Sequence, residues 1–468
     1  MMIIANLLLA VNSAFAQNGQ KVKANWQNLD LKTDSVFGIS MEKTYAELLK
    51  GKKAVPVIVA VIDGGVDINH EDLKSVIWTN PKEIPGNGKD DDGNGFVDDV
   101  HGWNFYSAMA GEDINAEMLS IPDKIKNANA DQKILDQLLQ KMGKSDPTID
   151  DFKKYVPSSA EDFKMQTTMV AGLKLFPDFV SKWKVRLKRS IDFHNMQLAY
   201  YEKKDYDLIT GGPSSIHGTH VAGIIAADRN NNFGIKGVAD YVKIMAIRAI
   251  GTPDPFKDGM EPVNYSAIDS DEAVKKNKAI ADAIRYAVDN GAKIINMSFD
   301  QGWFQTPATI SKAIEYAVSK DVLIIHASGN DGLNLDKRID IFPDRGTLEG
   351  KALAASWIEV SASGWKSDGK LAAVFSNYGK NSVDVYAPGV DITSTVLRSG
   401  YDVNSGTSMA APVVAGLAAV IREYYPKLTA AQVKEVIMKS VVKADVLKDK
   451  CVSGGVVNAY NAFSCIDK

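Results

Sequence analysis

The chain alternates two hydrophobic rhythms over most of its length. Apolar runs of strand length fall at 57–61, 242–250, 293–298, 322–327, 357–361 and 383–386. Such unbroken runs, as opposed to every-second-residue alternation, mark strands covered on both faces of a parallel sheet. Between and after them lie segments with helical period: 279–290 closed by Gly291, then 307–319, 406–424 and 429–439. This alternation predicts an α/β fold, a three-layer sandwich with a central mostly parallel sheet and helices on both faces.

One long stretch, 106–210, breaks the rhythm. Ile134, Leu135, Leu138 and Leu139 recur at helical spacing, and 179–198 mixes apolar residues with Lys and Arg. The stretch therefore predicts a mostly helical insertion embedded in the domain 56–468. Its basic, aromatic-bearing part, 182–189, reads more simply as a solvated amphipathic helix than as a site for an acidic partner.

Three short segments carry candidate chemistry. Ile62-Asp63-Gly64-Gly65-Val66-Asp67 follows the first apolar run, so Asp63 stands at the carboxyl end of a buried strand, where open α/β sheets place their sites. His217-Gly218-Thr219-His220-Val221-Ala222-Gly223 leads into a small-residue helix, and of the six histidines only His217 and His220 lie in such a Gly-rich turn. Ser405-Gly406-Thr407-Ser408-Met409-Ala410-Ala411-Pro412 sets a serine among small residues just before an apolar helical run. A serine hydroxyl is a weak nucleophile until a base takes its proton and nearby dipoles stabilise the developing charge.

Together with Ala327-Ser328-Gly329-Asn330-Asp331-Gly332, these segments resemble the subtilisin-like serine proteases, the subtilases. The resemblance covers most of 55–105 and 211–442, and the order Asp63, His217, Ser408 is that of subtilisin. It implies a subtilisin-like sandwich and a secreted serine endopeptidase acting on protein or peptide substrates. Ser408 would attack the scissile carbonyl, His217 would carry the proton, and Asp63 would orient and stabilise the imidazole. Asn330 and the Ser408 N–H would stabilise the oxyanion. Substrate backbone would lie along Ser298, Phe299, Asp300 and Gly329. His217 argues against the sedolisin branch, whose base is a glutamate. Because the insertion ends just before His217, a lid or side wall of the cleft is expected there.

Plainer readings stand beside these. Asp63 alone would be a strand-ending turn residue. His217 and His220, three apart, would suit a metal, but neither a convincing third ligand nor an H-E-x-x-H pattern accompanies them. Ser408 in Gly-x-Ser-x-Ala looks like an esterase elbow, yet in that fold the acid and base follow the serine. Gly64 stands where subtilases usually carry Ser or Thr, which puts one hydrogen bond to Asp63 in question. Asp300 replaces a common glycine, and a carboxylate there would either favour basic or N-terminally charged substrates or face solvent. A tripeptidyl-type exopeptidase and a catalytically weak pseudoprotease that binds proteins are the alternatives.

The segment 87–99 is rich in acids and glycines. Asp90, Asp92, Asn94 and Asp98 match positions 1, 3, 5 and 9 of a calcium loop, with Gly95 at the sharp-turn position and the Phe96 carbonyl at position 7. Position 12 is His101, and no entering helix is evident, so the motif is an incomplete EF-hand. Bound Ca2+ of structural role is the expectation, a solvated acidic loop the alternative. The run 228–234 is similar to the Asn-rich calcium loop of many subtilases, with Asn231 as the side-chain ligand that resemblance implies; a plain turn is the other reading.

Composition changes the picture little. The 468 residues are 45% hydrophobic and 24% charged, ordinary for a globular protein, and a net charge of −4 gives no reason to invoke nucleic acid or an anionic membrane. A monomer is expected. Residues 3–11 are mostly apolar and too short to span a bilayer, and Ala14-Phe15-Ala16 offers a cleavage site before Gln17. Residues 1–16 thus read as a signal peptide for a secreted or periplasmic protein, although no Lys or Arg precedes the run. The following 17–55 read as an N-terminal arm or residual pro-segment, with Trp26 to Gly51 packed on the catalytic body. Cys451 and Cys465 would close one disulfide loop or stand as two free thiols.

Overall fold

The computed structural model describes residues 22–106, 114–175, 179–203, 215–250, 271–299, 308–338, 343, 345 and 347–467. The proposed signal peptide and Asp300 lie outside them. Eleven strands form among the described residues: β1 (Val57–Asp63), β2 (Gly102–Asn104), β3 (Val242–Arg248), β4 (Ile294–Met297), β5 (Leu323–Ala327), β6 (Trp357–Ser363), β7 (Val385–Pro388), β8 (Ile392–Val396), β9 (Gly400–Asn404), β10 (Val442–Lys443) and β11 (Gly455–Val456).

Nine of them build one sheet in the order β10-β11-β7-β6-β5-β4-β1-β3-β2. Pairing is parallel except for β10 against β11. β8 and β9 form a separate antiparallel ribbon. The continuous apolar runs follow from burial on both faces. In β1, Val57, Val59 and Val61 enter the core shared with helices Ser215–Ala226 and Thr407–Tyr424, whereas Ala60 and Ile62 enter the core shared with Asp271–Asp289 and Ala308–Ser319. β3 alternates in the same way, Ile244 and Ala246 against Met245 and Ile247. The three-layer α/β fold is thus present.

β1 lies between β3 and β4. The chain therefore builds outward from β1 in both directions, and the carboxyl end of β1 is a switch point where an open α/β sheet leaves a crevice. The helix Thr407–Tyr424 runs beneath the sheet, buried from Met409 to Glu423, which explains its almost uninterrupted apolar sequence. Residues 22–51 pack on this body. Trp26 is fully buried and its indole N–H donates to the Asp391 carbonyl (3.2 Å), while Asn458 Nδ2 donates to Ser40 Oγ (2.7 Å).

The insertion forms a compact unit with its own core. Its helices span Ile114–Met142, Ile149–Lys154, Ala160–Leu175 and Phe179–Lys203, the second started by a Thr148–Asp151 capping box. Leu135, Leu138, Leu139, Phe152, Met169 and Leu187 are buried together, so the helical spacing noted in the sequence marks a hydrophobic face turned inward. The cysteines resolve as two free thiols, Cys451 buried near Ser453 Oγ (3.6 Å) and Cys465 exposed on the last helix; the loop-closing disulfide is absent.

The close approach of the helix Thr407–Tyr424 to Val238 rests on Gly416. A Cβ there would lie 2.6 Å from Val238 Cβ and 3.4 Å from the Ile225 carbonyl oxygen. Helix propensity alone favours alanine by about 1 kcal/mol, whereas overpacking a core costs about 1–3 kcal/mol. The clash should win. Gly416→Ala is expected to lower unfolding stability by up to about 2 kcal/mol net, measured by urea denaturation; a raised midpoint would contradict the packing.

Candidate active site

The site is assembled at the carboxyl end of β1. Asp63, its last residue, is fully buried. A buried carboxylate is costly unless paired and hydrogen-bonded. Here it is both: the Gly64 N–H donates to Oδ1 (2.7 Å), and His217 Nδ1 lies 2.9 Å from Oδ1 and 3.0 Å from Oδ2. The Gly64 backbone N–H bonds Asp63 whatever side chain stands there, so it does not replace the hydroxyl donor that a Ser or Thr would add. His217 occupies the first turn of the helix Ser215–Ala226, with 26% of its side chain exposed. The next residue must be small, because a Cβ on Gly218 would sit 2.2 Å from the Gly65 carbonyl oxygen and 3.0 Å from Asp63 Cβ. Burial pushes the His217 imidazole toward lower pKa, but the Asp63 charge and hydrogen bond outweigh it and the net shift is upward from 6.5. This fixes Nδ1 as the protonated nitrogen and leaves Nε2 to accept a proton.

Ser408 is half-buried in the first turn of Thr407–Tyr424. Pro412 stands four residues on and has no N–H, so the Ser408 carbonyl lacks its intrahelical partner. Ser298 takes that place: its Oγ donates to the Ser408 carbonyl (3.0 Å) and in turn accepts from Asn296 Nδ2 (2.9 Å). The serine turn is thereby tied to the end of β4. It is tied to β5 as well, since Asn330 Oδ1 accepts from the Thr407 N–H (2.8 Å) and Thr407 Oγ1 (3.1 Å), and the Gly329 N–H donates to Thr407 Oγ1 (3.2 Å). A backbone N–H can only donate, so these bonds orient the Asn330 carboxamide. Its oxygen is engaged and only its NH2 group is offered to a further partner. Gly329 has φ +95°, a conformation side-chain-bearing residues rarely adopt.

The histidine and serine helices pack on each other, with the Cβ site of Gly416 close to Ile225; these two residues each lie eight positions beyond Ser408 and His217. His220 is buried, 3.2 Å from the Asp402 carbonyl through Nε2, and burial followed by the neighbouring His217 charge lowers its pKa to about 3. It serves packing, and its ring nitrogen bonds elsewhere than the His217–Asp63 pair. Phe299 is buried beside Ser298.

The acidic loop is only partly as its spacing suggests. Asp90 and Asp92 stand together, and Asn94 closes the turn by accepting from the Phe96 N–H (2.8 Å) and donating to Asp99 (2.9 Å). Asp98 faces the other way, accepting from the Asn87 and Gly88 N–H groups (3.2 and 2.8 Å). Asn231 donates to Asp72 Oδ1 (2.6 Å) and accepts from the Phe233 N–H (2.9 Å). Two residues escaped sequence reasoning: Thr407, although it lies within the serine motif, and Glu83, which has no spacing signal at all.

The pattern of the subtilase family matches residues 56–460, and the chain belongs to that family. It is 39% identical over 235 residues to a thermophilic serine proteinase of Bacillus sp. (strain AK1), covering 49% of each chain. It is 31% identical over 246 residues to subtilisin BL of Lederbergia lenta, covering 53% of this chain and 74% of that one. The match thus spans about half the length of the first relative and about three quarters of the second. A solved protease structure from Pseudoalteromonas arctica PAMC 21717 aligns over 94% of this chain and 97% of its own, with a TM-score of 0.52 and 20% identity, a likeness of fold.

The Asp63–His217 geometry predicts a titration. His217 should show an apparent pKa above 6.5 by imidazole NMR, and Asp63→Asn should lower it to below that value, because burial then acts without the opposing charge. An equal pKa in both proteins would refute the assigned coupling.

Proposed function

We propose that this subtilase is an exported serine endopeptidase that hydrolyses peptide bonds of proteins through Asp63, His217 and Ser408. The observation that carries the reading is the buried Asp63 carboxylate held on His217 Nδ1 at 2.9 Å, with Nε2 left as the base. Ser408 Oγ attacks the scissile carbonyl carbon and its proton passes to His217 Nε2. The imidazolium is stabilised by Asp63. As the tetrahedral intermediate collapses, the C–N bond breaks and His217 returns the proton to the leaving amine. Water then attacks the acyl-enzyme with His217 as base, releasing the acid and restoring Ser408.

The oxyanion is met by Asn330 Nδ2 and the Ser408 N–H. The second is one of the donors a helix N-terminus leaves without an intrahelical partner. Substrate backbone adds as a strand along Ser298, Phe299, Asp300 and Gly329, which gives affinity through main-chain hydrogen bonds and leaves side-chain choice to the pockets. His217 must be neutral to start the reaction and the Asp63 charge raises its pKa above 6.5, so the acid limb of kcat/KM should follow its titration. A leader at 1–16 would deliver the chain outside the cytoplasm, and no helix among the described residues is long and apolar enough to cross a membrane.

Two experiments test the reading. Asn330→Ala is expected to lower kcat by about 10²–10³ with little change in KM, the usual effect of removing one oxyanion donor; full activity would remove Asn330 from that role. Cleavage products of a long unstructured peptide, read by mass spectrometry, should show internal cuts in the wild-type protein. Sequential release of tripeptides from one end would establish the exopeptidase instead, and an intact peptide in a folded sample the pseudoprotease.

A further inference from the structure

A second site lies in the loop between β1 and β2. One carboxylate oxygen from each of Glu83, Asp90 and Asp92 falls within 4.8 Å of the others. Glu83 is 7% exposed, and its Oε2 is buried with no hydrogen-bond partner. Its Oε1, by contrast, accepts from the Asp91 and Asp92 N–H groups (2.9 and 3.2 Å). A buried carboxylate oxygen without a partner is a costly arrangement, and two further acids beside it make it worse. Among the described residues no ion pair reaches Glu83; Lys82 Nζ lies 4.0 Å from Asp92 Oδ2 and is 65% exposed, a weak and solvated contact.

We propose that Glu83, Asp90 and Asp92 bind a calcium ion, with Glu83 Oε2 as its buried ligand and water completing the shell. Oxygen donors alone, three of them carboxylates, select a hard divalent cation. The ligands are buried or half-buried, but the neighbouring Asp91, Gly93 and Asn94 are exposed, and a site rimmed by water suits the 6–8 oxygen ligands of calcium better than the strict octahedron of magnesium. The remaining hydrogen bonds hold the ligands in place without saturating them. Asp90 accepts from the Asn94 and Gly95 N–H groups (3.0 and 2.8 Å), and Asp92 from the Asn94 N–H (3.1 Å) and Asn80 Nδ2 (3.2 Å). The set differs from the linear calcium loop of the sequence. Glu83, from the turn before the loop, replaces Asp98, whose carboxylate is held by the Asn87 and Gly88 N–H groups.

The ion joins the turn at Glu83 to the loop at Asp90–Asp92, and the loop is anchored to the body. Buried Asp99 accepts from Tyr286 Oη (2.6 Å), Asn94 Nδ2 (2.9 Å) and Asn80 Nδ2 (3.1 Å), while Phe96 packs against Trp103, Phe105 and Tyr286. Calcium thus closes a loop already fixed at its base, and its effect falls on local opening of 80–99.

The test uses the full chain with Ser408→Ala, which removes self-cleavage and separates the outcome from any question of activity. The chelator-stripped protein is titrated with CaCl2 by calorimetry and with Tb3+ by tryptophan-sensitised emission, with MgCl2 as the comparison. Adding Glu83→Gln or Asp92→Asn should weaken calcium binding at this site about tenfold or more, as removal of one ligand charge does. Asp98→Asn should leave it within about threefold, because Asp98 is not a ligand. Asp90→Asn, at a half-buried ligand, gives the same reading if Glu83→Gln does not fold by circular dichroism. A calcium titration unchanged by Glu83→Gln, Asp90→Asn and Asp92→Asn, or absent in the starting protein, overturns the site. So does Asp98→Asn weakening binding as much as Glu83→Gln.

Discussion

The structure depends on a buried carboxylate at the end of β1. Asp63 has no solvent to stabilise its charge, so every element around it must approach closely enough to do so. The Gly64 N–H and His217 Nδ1 meet it within hydrogen-bond distance, and the glycine after the histidine lets that helix come down onto the turn. Removing the His217 imidazole would leave the buried carboxylate one hydrogen bond short, a change that costs about 1–3 kcal/mol or more for a charged group. The interaction that orients the His217 imidazole therefore also fixes where its helix can sit.

The serine turn obeys a related logic. Pro412 denies the Ser408 carbonyl its helical partner, and the lost bond is replaced from outside the helix by Ser298. Thr407 fixes the Asn330 amide by occupying its oxygen. Three strands, β1, β4 and β5, thus each contribute a group from their carboxyl ends, and the parallel order of the sheet brings those ends to one edge. The site is held by strand ends and helix starts tied together by these hydrogen bonds.

Much of this was legible in the sequence, for physical reasons. The buried strands announce themselves as apolar runs, and Asp63, His217, Asn330 and Ser408 each close such a run or open a small-residue helix. Where a strand is very short or half-exposed the signal fails. The two-residue strands β10 and β11 and the half-exposed ribbon strand β9 carry no distinct pattern, and β7 spans Val385–Pro388 where the run suggested 383–386. Helix Asp271–Asp289 begins eight residues before its apolar periodicity does. The acidic loop shows the limit most plainly. Spacing along the chain groups Asp98 with Asp90 and Asp92, whereas the folded path turns Asp98 away and brings in Glu83. Cys451 and Cys465 likewise differ in burial in a way no spacing reveals.

In the proposed mechanism Asp63, His217 and Ser408 act as one nucleophile. Intact-mass analysis after exposure to a fluorophosphonate tests it most directly, because phosphonylation requires both an activated hydroxyl and an oxyanion site. A single adduct is expected in the wild-type protein, mapped to Ser408 and absent from Ser408→Ala. A folded wild-type sample that remains unlabelled, or an adduct that persists in Ser408→Ala, would contradict it.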